Sequence, residues 1–276
     1  MYNILSVDVE EWFHPEAVQH LFPREKWDEC ESRIEKNVEN LLNLFQLHNT
    51  KATFFILGWI AEKYPAMIKN IAEAGHEIAS HGYNHLMITK MNEVGFQNDL
   101  RKSIEILENT SGKKICGYRA PTFSIVDDTK WAWQILENNG FLYDSSVYPV
   151  FHDRYGIPDA PRTQFLPLQN PGTIIEFPLS TLKILGKNLP FGGGGYLRIF
   201  PLWFTTMAFR NLNRQNIPGI LFVHPWEFDS DQPKIPLNVI SRWRHYFNIK
   251  NNMEKLHHLL QDFKWTAFEN ILSQQN

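Results

Sequence analysis

Apolar and polar positions along this chain follow two alternating periods. Tyr2–Val9 (YNILSVDV) is β-branched and aliphatic with weak alternation, which predicts a buried first strand. From Ser32 the period lengthens. Ile34, Val38, Leu41, Leu42 and Phe45 form a helical stripe behind a Ser32-x-x-Glu35 capping box. Residues 52–57 (ATFFIL) are apolar throughout, as suits a strand covered on both faces. Pro65 opens the next helix, Met67, Ile68 and Ile71 face its core side, and Gly75 stops it. A short strand then runs into Ser80-His81. Phe96, Leu100, Ile104 and Leu107 mark a helix over about 92–110, ended by Gly112. A strand at 115–118 and a helix from Asp127 or Asp128 to residue 139 lead into Phe141-Leu142-Tyr143. Residues 147–173 break the rhythm with five prolines and read as a long ordered loop. Strand character returns at 174–179 and 219–223, with a helix beginning near Pro201 between them. A helix over 253–263 and a strand at 265–268 close the chain. Strands alternating with helices over short connections predict an α/β fold built on a parallel sheet.

Composition narrows the class without naming a function. The 276 residues carry 27 basic and 30 acidic side chains, net −3, which offers no footprint for nucleic acid or an anionic membrane. Cys30 and Cys116 stand far apart, so neither a disulfide framework nor a cysteine zinc site is expected. The amino terminus lacks the basic and apolar regions of a signal peptide, and no run is apolar enough to span a membrane. The expectation is a cytoplasmic protein in a reducing compartment. Aromatics are abundant, with nine tryptophans; most are expected in the core, and a surplus of Trp and Tyr also suits a groove that stacks on sugar rings.

The candidate chemistry lies where predicted strands end. Asp8 and Glu10 sit two apart in an extended chain, so their carboxylates share a face. Exposed acids capping the next loop are the alternative. His81 and His85 are four apart, and a single turn through 82–84 would bring both imidazoles to one side. His76-Glu77 suggests the zinc-protease H-E-x-x-H, but the next histidine is five residues on, off the helical face. Arg119, Asp144 and His224 each follow another predicted strand. In a β/α barrel such ends meet on one face, where catalytic residues gather. Glu10 with two neutral imidazoles makes a three-ligand site with an open position for water. Asp8 remains as a base, Arg119 as its positioner and His224 as an acid. This is the inventory for metal-assisted amide hydrolysis. The Gly192–Gly195 run lacks the Lys-Ser/Thr of a phosphate loop and reads as a close-packed, substrate-side loop ending in Tyr196. His257 and His258, without acidic or cysteine neighbours, read as surface residues.

Taken together, Ala52-Thr53-Phe54-Phe55, the stretch from Gly75 through His81 to His85, Arg119-Ala120-Pro121 and Leu221-Phe222-Val223-His224 resemble the motifs of the polysaccharide deacetylases of the NodB-homology family, carbohydrate esterase family 4. Ser6-Val7-Asp8-Val9-Glu10, the glycine-rich Tyr-Leu-Arg segment and His224-Pro225-Trp226-Glu227 resemble a subgroup associated with exopolysaccharide biosynthesis and peptidoglycan-type deacetylases. The resemblance implies a distorted (β/α) barrel of about seven parallel strands, with 1–276 a single catalytic domain and 226–276 an extension packed on the barrel. It implies a divalent metal, zinc above all, and removal of N-acetyl groups from amino sugars of a polymer or lipid-linked precursor. It also implies an oxyanion donor near Thr122 and Asp144 as the partner of His224. Family members commonly carry adjacent aspartates; here Val9 intervenes, so Asp8 as base and Glu10 as ligand could be exchanged. Trp12, Pro121, Thr122, Tyr196 and Trp226 are the expected substrate contacts. Homo-oligomerisation is left open.

Three other readings compete. A cyclic-amide hydrolase resembling the cofactor-independent allantoinases would use the same barrel. A glycosidase would use Asp8 and Glu10 as paired carboxylates but leaves His81, His85 and Arg119 without a role. A non-catalytic carbohydrate-binding barrel leaves the whole acid, base and ligand set without one.

Overall fold

The computed structural model describes residues 1–152, 154–169 and 172–273. Its strands are β1 (Tyr2–Val9), β2 (Thr53–Ile56), β3 (Glu77–Ser80), β4 (Gly117–Tyr118), β5 (Tyr143–Asp144), β6 (Ile175–Glu176), β7 (Thr181–Ile184), β8 (Lys187–Pro190), β9 (Ile220–Val223) and β10 (Lys264–Thr266). Its α-helices are α1 (Ile34–Leu47), α2 (Gly58–Lys63), α3 (Pro65–Glu73), α4 (Glu93–Ser111), α5 (Ala132–Asn138), α6 (Gly195–Ile199), α7 (Leu202–Arg214), α8 (Val239–Tyr246), α9 (Asn252–Asp262) and α10 (Phe268–Leu272). Among the described residues no helix is long and apolar enough to cross a membrane. The chain divides into two compact units, Met1–Ala52 with Phe191–Asn276, and Thr53–Pro190.

In the first unit β1 is the middle strand of three. β9 pairs with it in parallel, Ile4 opposite Ile220 and Val7 opposite Val223, and β10 pairs in parallel on its other edge. Every β1 residue after Tyr2 is buried, as suits a strand covered on both faces, with Asn3 and Ser6 the polar positions before Asp8. Ile34, Val38, Leu41 and Phe45 of α1 are buried as their spacing predicts. The cap of α1 differs from the expected box. Ser32 donates its hydroxyl to Glu11 Oε1 instead of capping the helix, and Glu11 also accepts the amides of Arg33 and Ile34 at 3.0 and 3.2 Å. A carboxylate from the loop after β1 thereby satisfies the free amides of a helix N-terminus. His257 is not an isolated surface residue either: its Nδ1 shares a hydrogen bond with His48 Nε2 at 3.0 Å.

The second unit carries β2, β3, β4, β5 and β6, paired in that order and all parallel. The strands are shorter than their apolar runs, as at β4 and β6. Gly117 is required: a Cβ there would meet the Tyr143 ring at 2.1 Å. Tyr143 in turn donates to Glu77 Oε1 at 2.8 Å, and Thr53 donates to Oε2, so the buried carboxyl is satisfied. On α4 the core face is Phe96, Leu100, Ser103 and Leu107, with Ser103 where Ile104 was expected. The hydroxyl of Ser103 reaches Ser80 Oγ and Gly82 O at 2.9 and 3.1 Å. The antiparallel hairpin β7–β8 turns on Leu185 and Gly186, both at positive φ, without the Asn-Gly or Asp-Gly signal that would have announced it. In the expected 147–173 loop, residues 153, 170 and 171 lie outside the described residues; Phe165 bridges to Glu176.

Glu11 should therefore govern α1. Glu11→Ala is expected to cost about 1–2 kcal/mol in urea unfolding, the worth of a helix cap, and Glu35→Ala less than about 0.5 kcal/mol. Equal costs would restore the Ser32–Glu35 box.

Candidate active site

The first unit assembles half of the predicted residues. β1 ends at Val9, and Asp8 and Glu10 are both buried at its carboxyl end. The register that places Val7 opposite Val223 brings the next residue of β9's chain, His224, alongside them. Its Nε2 lies 3.9 Å from Asp8 Oδ2 and 3.8 Å from Glu10 Oε1. Its Nδ1 and its backbone N–H both meet Glu227 Oε2, at 3.0 and 3.1 Å. The short 3₁₀ turn Pro225–Phe228 makes that possible by returning the carboxylate three residues later to the histidine. Burial alone would lower the imidazole's pKa, but Glu10, Glu227 and Asp8 outweigh it and hold His224 at about 9. It is a cation at neutral pH.

Glu227 has a second partner, Arg198, whose Nε reaches Oε1 at 3.0 Å. Arg198 arrives through the glycine run. Gly194 N donates to Phe222 O and Phe222 N to Gly192 O, both at 2.9 Å, and a Cβ on Gly193 would lie 1.9 Å from Phe222 O. The run is thus the close-packed loop expected, laid along β9. Tyr196 is half-buried on α6, its ring stacked on Phe200.

The second unit holds the remainder. His81 and His85 are buried, with ring centroids 5.5 Å apart. His81 Nδ1 lies 2.7 Å from Arg119 O. A carbonyl only accepts, so Nδ1 carries a proton and Nε2 is the ring nitrogen left to meet a metal. His85 reaches its place at φ 52, after Gly82 at φ 75. Asp99 Oδ2 accepts the Tyr83 amide at 2.8 Å and holds this loop from α4. Arg119 is fully buried. Its Nε donates to Ser145 O and its Nη2 to Ser145 Oγ, each at 3.0 Å, and its guanidinium lies 4.1 Å over the Phe55 ring. Pro121 is buried; Thr122 and Phe123 follow at φ 57 and 52, two consecutive non-glycine residues in the left-handed region.

Three expectations need correction. His224 Nδ1 is held by Glu227, while Asp144 is engaged by Trp133 Nε1 at 2.9 Å and by Ser146 Oγ. Burial pushes both Asp144 and its neighbour Glu176 up, Glu176 well above its ordinary value. Trp12 is core: only 5% exposed, it donates to Glu31 O at 2.9 Å and packs edge-on against Phe13 and Phe22. Trp226 is 6% exposed and stacks on His224 and His245, so it underlies the imidazole and offers no open platform. Sequence reasoning assigned no role to Glu227, Arg198 or Asp99. The His-x-x-Glu spacing after β9 was the available signal for the first.

Residues 26–143 match the polysaccharide deacetylase family. This stretch of the chain is a polysaccharide deacetylase domain. Residues 145–273 match a domain of unknown function, DUF3473. His81, His85, Arg119, Pro121 and Thr122 lie in the deacetylase domain, whereas Arg198, His224 and Glu227 lie in the second match. Asp8 and Glu10 precede both. A peptidoglycan-N-acetylglucosamine deacetylase of Bacillus cereus is 39% identical over 111 residues, 40% of this chain and 39% of the relative. The chain spans well under half the length of such curated relatives. Among solved structures, a Mycobacterium smegmatis protein assigned to the polysaccharide deacetylases aligns over 99% of this chain and 91% of its own, with TM-score 0.62 and 23% identity. The Puue allantoinase aligns over 96% and 81%, with TM-score 0.58 and 17% identity. At these identities the likeness speaks for the fold, a distorted (β/α) barrel as the deacetylase motifs implied.

A pH dependence arises from Glu227. Burial would raise its carboxyl, but His224 and Arg198 hold it down at about 2 against an ordinary 4.5. A carboxylate so depressed contributes stability above 4.5 that is lost as pH falls toward 2. The melting temperature of the native chain should fall more steeply through that window than that of Glu227→Gln; parallel curves in thermal melts would contradict the pairing.

Proposed function

We propose that this chain is a metal-dependent hydrolase that removes N-acetyl groups from amino sugars of a polysaccharide or its precursor, releasing acetate, and that residues 1–276 act as one catalytic domain. The observation that carries the reading is the cationic His224 facing two buried carboxylates, Asp8 and Glu10, at the ends of adjacent strands. A proton donor placed beside a carboxylate base is what hydrolysis of an unactivated amide needs.

The donor set suits a divalent ion. Glu10, His81 and His85 are buried, each offers one ligand atom, and two imidazoles with one carboxylate are the chemistry of a catalytic zinc site. When bound, such an ion would lower the pKa of a water and polarise the acetamide carbonyl. Asp8 is the base that takes the water's proton, with Arg119 as its positioner. The backbone at Thr122, already bent into the left-handed region, is proposed to donate to the developing oxyanion. His224 gives its Nε2 proton to the departing amine as the C–N bond breaks. Relatives named as peptidoglycan deacetylases support a polymer containing N-acetylglucosamine as the substrate class.

Purified protein incubated with N-acetylglucosamine oligomers should release acetate and should not turn over allantoin; the opposite result would favour the cyclic-amide reading. Replacing His81 or His85 by Ala should empty the site and abolish turnover. Asp8→Asn should keep the metal while turnover falls about 10²–10⁴-fold, the usual worth of a positioned base. Glu10→Ala should lose the metal. Metal content measured on both variants assigns the two carboxylates, and the reverse pattern exchanges their roles.

A further inference from the structure

We infer that Glu227 and Arg198 are positioning residues for His224, and that the segment after β9 orders the proton donor of the reaction as well as packing against it; this rests on the reading of His224 given above. The bonds form a directed series. Arg198 is 3% exposed and its guanidinium is engaged on two sides. Nε donates to Glu227 Oε1 at 3.0 Å, and Nη1 donates to the carbonyls of Arg244, His245 and Phe247 at 3.0, 3.0 and 3.2 Å. Those three carbonyls are the open C-terminal end of α8, where a cation is favoured. Lys255 on α9 donates to the carbonyls of Leu197, Arg198 and Phe200, and Asn248 to that of Arg198, so the backbone carrying the guanidinium is tied as well. A fork held on both sides fixes the plane of the Glu227 carboxylate.

Glu227 Oε2 then takes the His224 backbone N–H and Nδ1–H together. Committing Nδ1 leaves Nε2 as the nitrogen that faces Asp8 and Glu10. The ring's tilt is set from its flat side. Trp226 stacks on His224, at 5.7 Å and 26°, and on His245, at 4.7 Å and 6°, and Gln232 Oε1 accepts from His245 Nε2 at 3.1 Å. In turnover the Nε2–H bond breaks as the amine nitrogen takes the proton and the C–N bonding pair. His224 is left neutral with Nδ1–H still on Glu227. A buried ion pair that only filled space could be exchanged for apolar side chains at little cost, whereas one that aims a ring could not.

Two substrates separate aiming from mere packing. Amine departure from an N-acetylglucosamine oligomer needs a proton; 4-nitrophenolate departure from 4-nitrophenyl acetate does not. For Glu227→Gln, close in shape and without charge, kcat for acetate release from the oligomer should fall about 10²-fold with KM within about twofold, and ester hydrolysis less than about threefold. Arg198→Lys should show the same split, weaker. Equal losses on both substrates, or none on the oligomer, overturn the inference. If the native chain releases no acetate from the oligomer, the deacetylase reading fails by itself, and proton NMR decides the rest. A downfield ring proton, assigned by its loss in His224→Gln, should be present in the native chain and absent in Glu227→Gln. A native spectrum without it overturns the inference.

Discussion

The parallel pairing of β1 with β9 is the constraint on which the first unit depends. Side chains in a strand repeat every two residues, so one residue of slippage would turn the polar end of β1 inside out. With Val7 opposite Val223, the aliphatic runs of both strands lie side by side and their carboxyl ends, with Asp8 and His224, emerge together. Asp8, Glu10 and His224 are near neighbours because hydrophobic burial selects one register. The chemistry is a consequence of packing.

That register imposes an electrostatic cost, which the chain must offset. Three carboxylates and two cations are withdrawn from water within one cluster, Asp8, Glu10, Glu227, His224 and Arg198. Burial works against the charge on His224 and on Glu227, and their charged neighbours outweigh it. The directions agree: His224 up to about 9 and Glu227 down to about 2. The second unit solves a similar problem differently. Burial pushes Asp144 and Glu176 up, toward their neutral forms, and Arg119 is spread over a carbonyl, a hydroxyl and an aromatic face. Strain gathers in the same unit, where His85, Thr122 and Phe123 adopt left-handed backbone just after β3 and β4. Such conformations persist only where the surrounding hydrogen bonds over-determine them, as Asp99 does below His85 and Ser124 below Thr122.

Much of this was legible in the chain itself. Periodicity alone places β1, α1, β2, α3, α4, β9, α9 and β10 close to where they lie, because each has one apolar stripe or run to bury. Asp8, Glu10, His81, His85, Arg119 and His224 were legible as polar residues at strand ends, where packing has no use for them. The sequence did not reveal which partner each would take. Ser32-x-x-Glu35 has the spacing of a capping box, yet Glu11 caps α1 from 21 residues before Ser32, because a helix end takes whichever oxygen the fold brings nearest. Trp12 and Trp226 look like groove walls in a string of polar residues, but burial is a property of three dimensions, and both are covered. Asp144 and Glu227 are both carboxylates near a strand end; only the 3₁₀ turn after His224 decides which one reaches the imidazole. The sequence by itself determined the alternation of strand and helix and the kinds of group at the strand ends, since these follow from local period and residue chemistry. The tertiary structure alone decided the pairing among those groups, because hydrogen bonds act over about 3 Å and no spacing along the chain measures that distance.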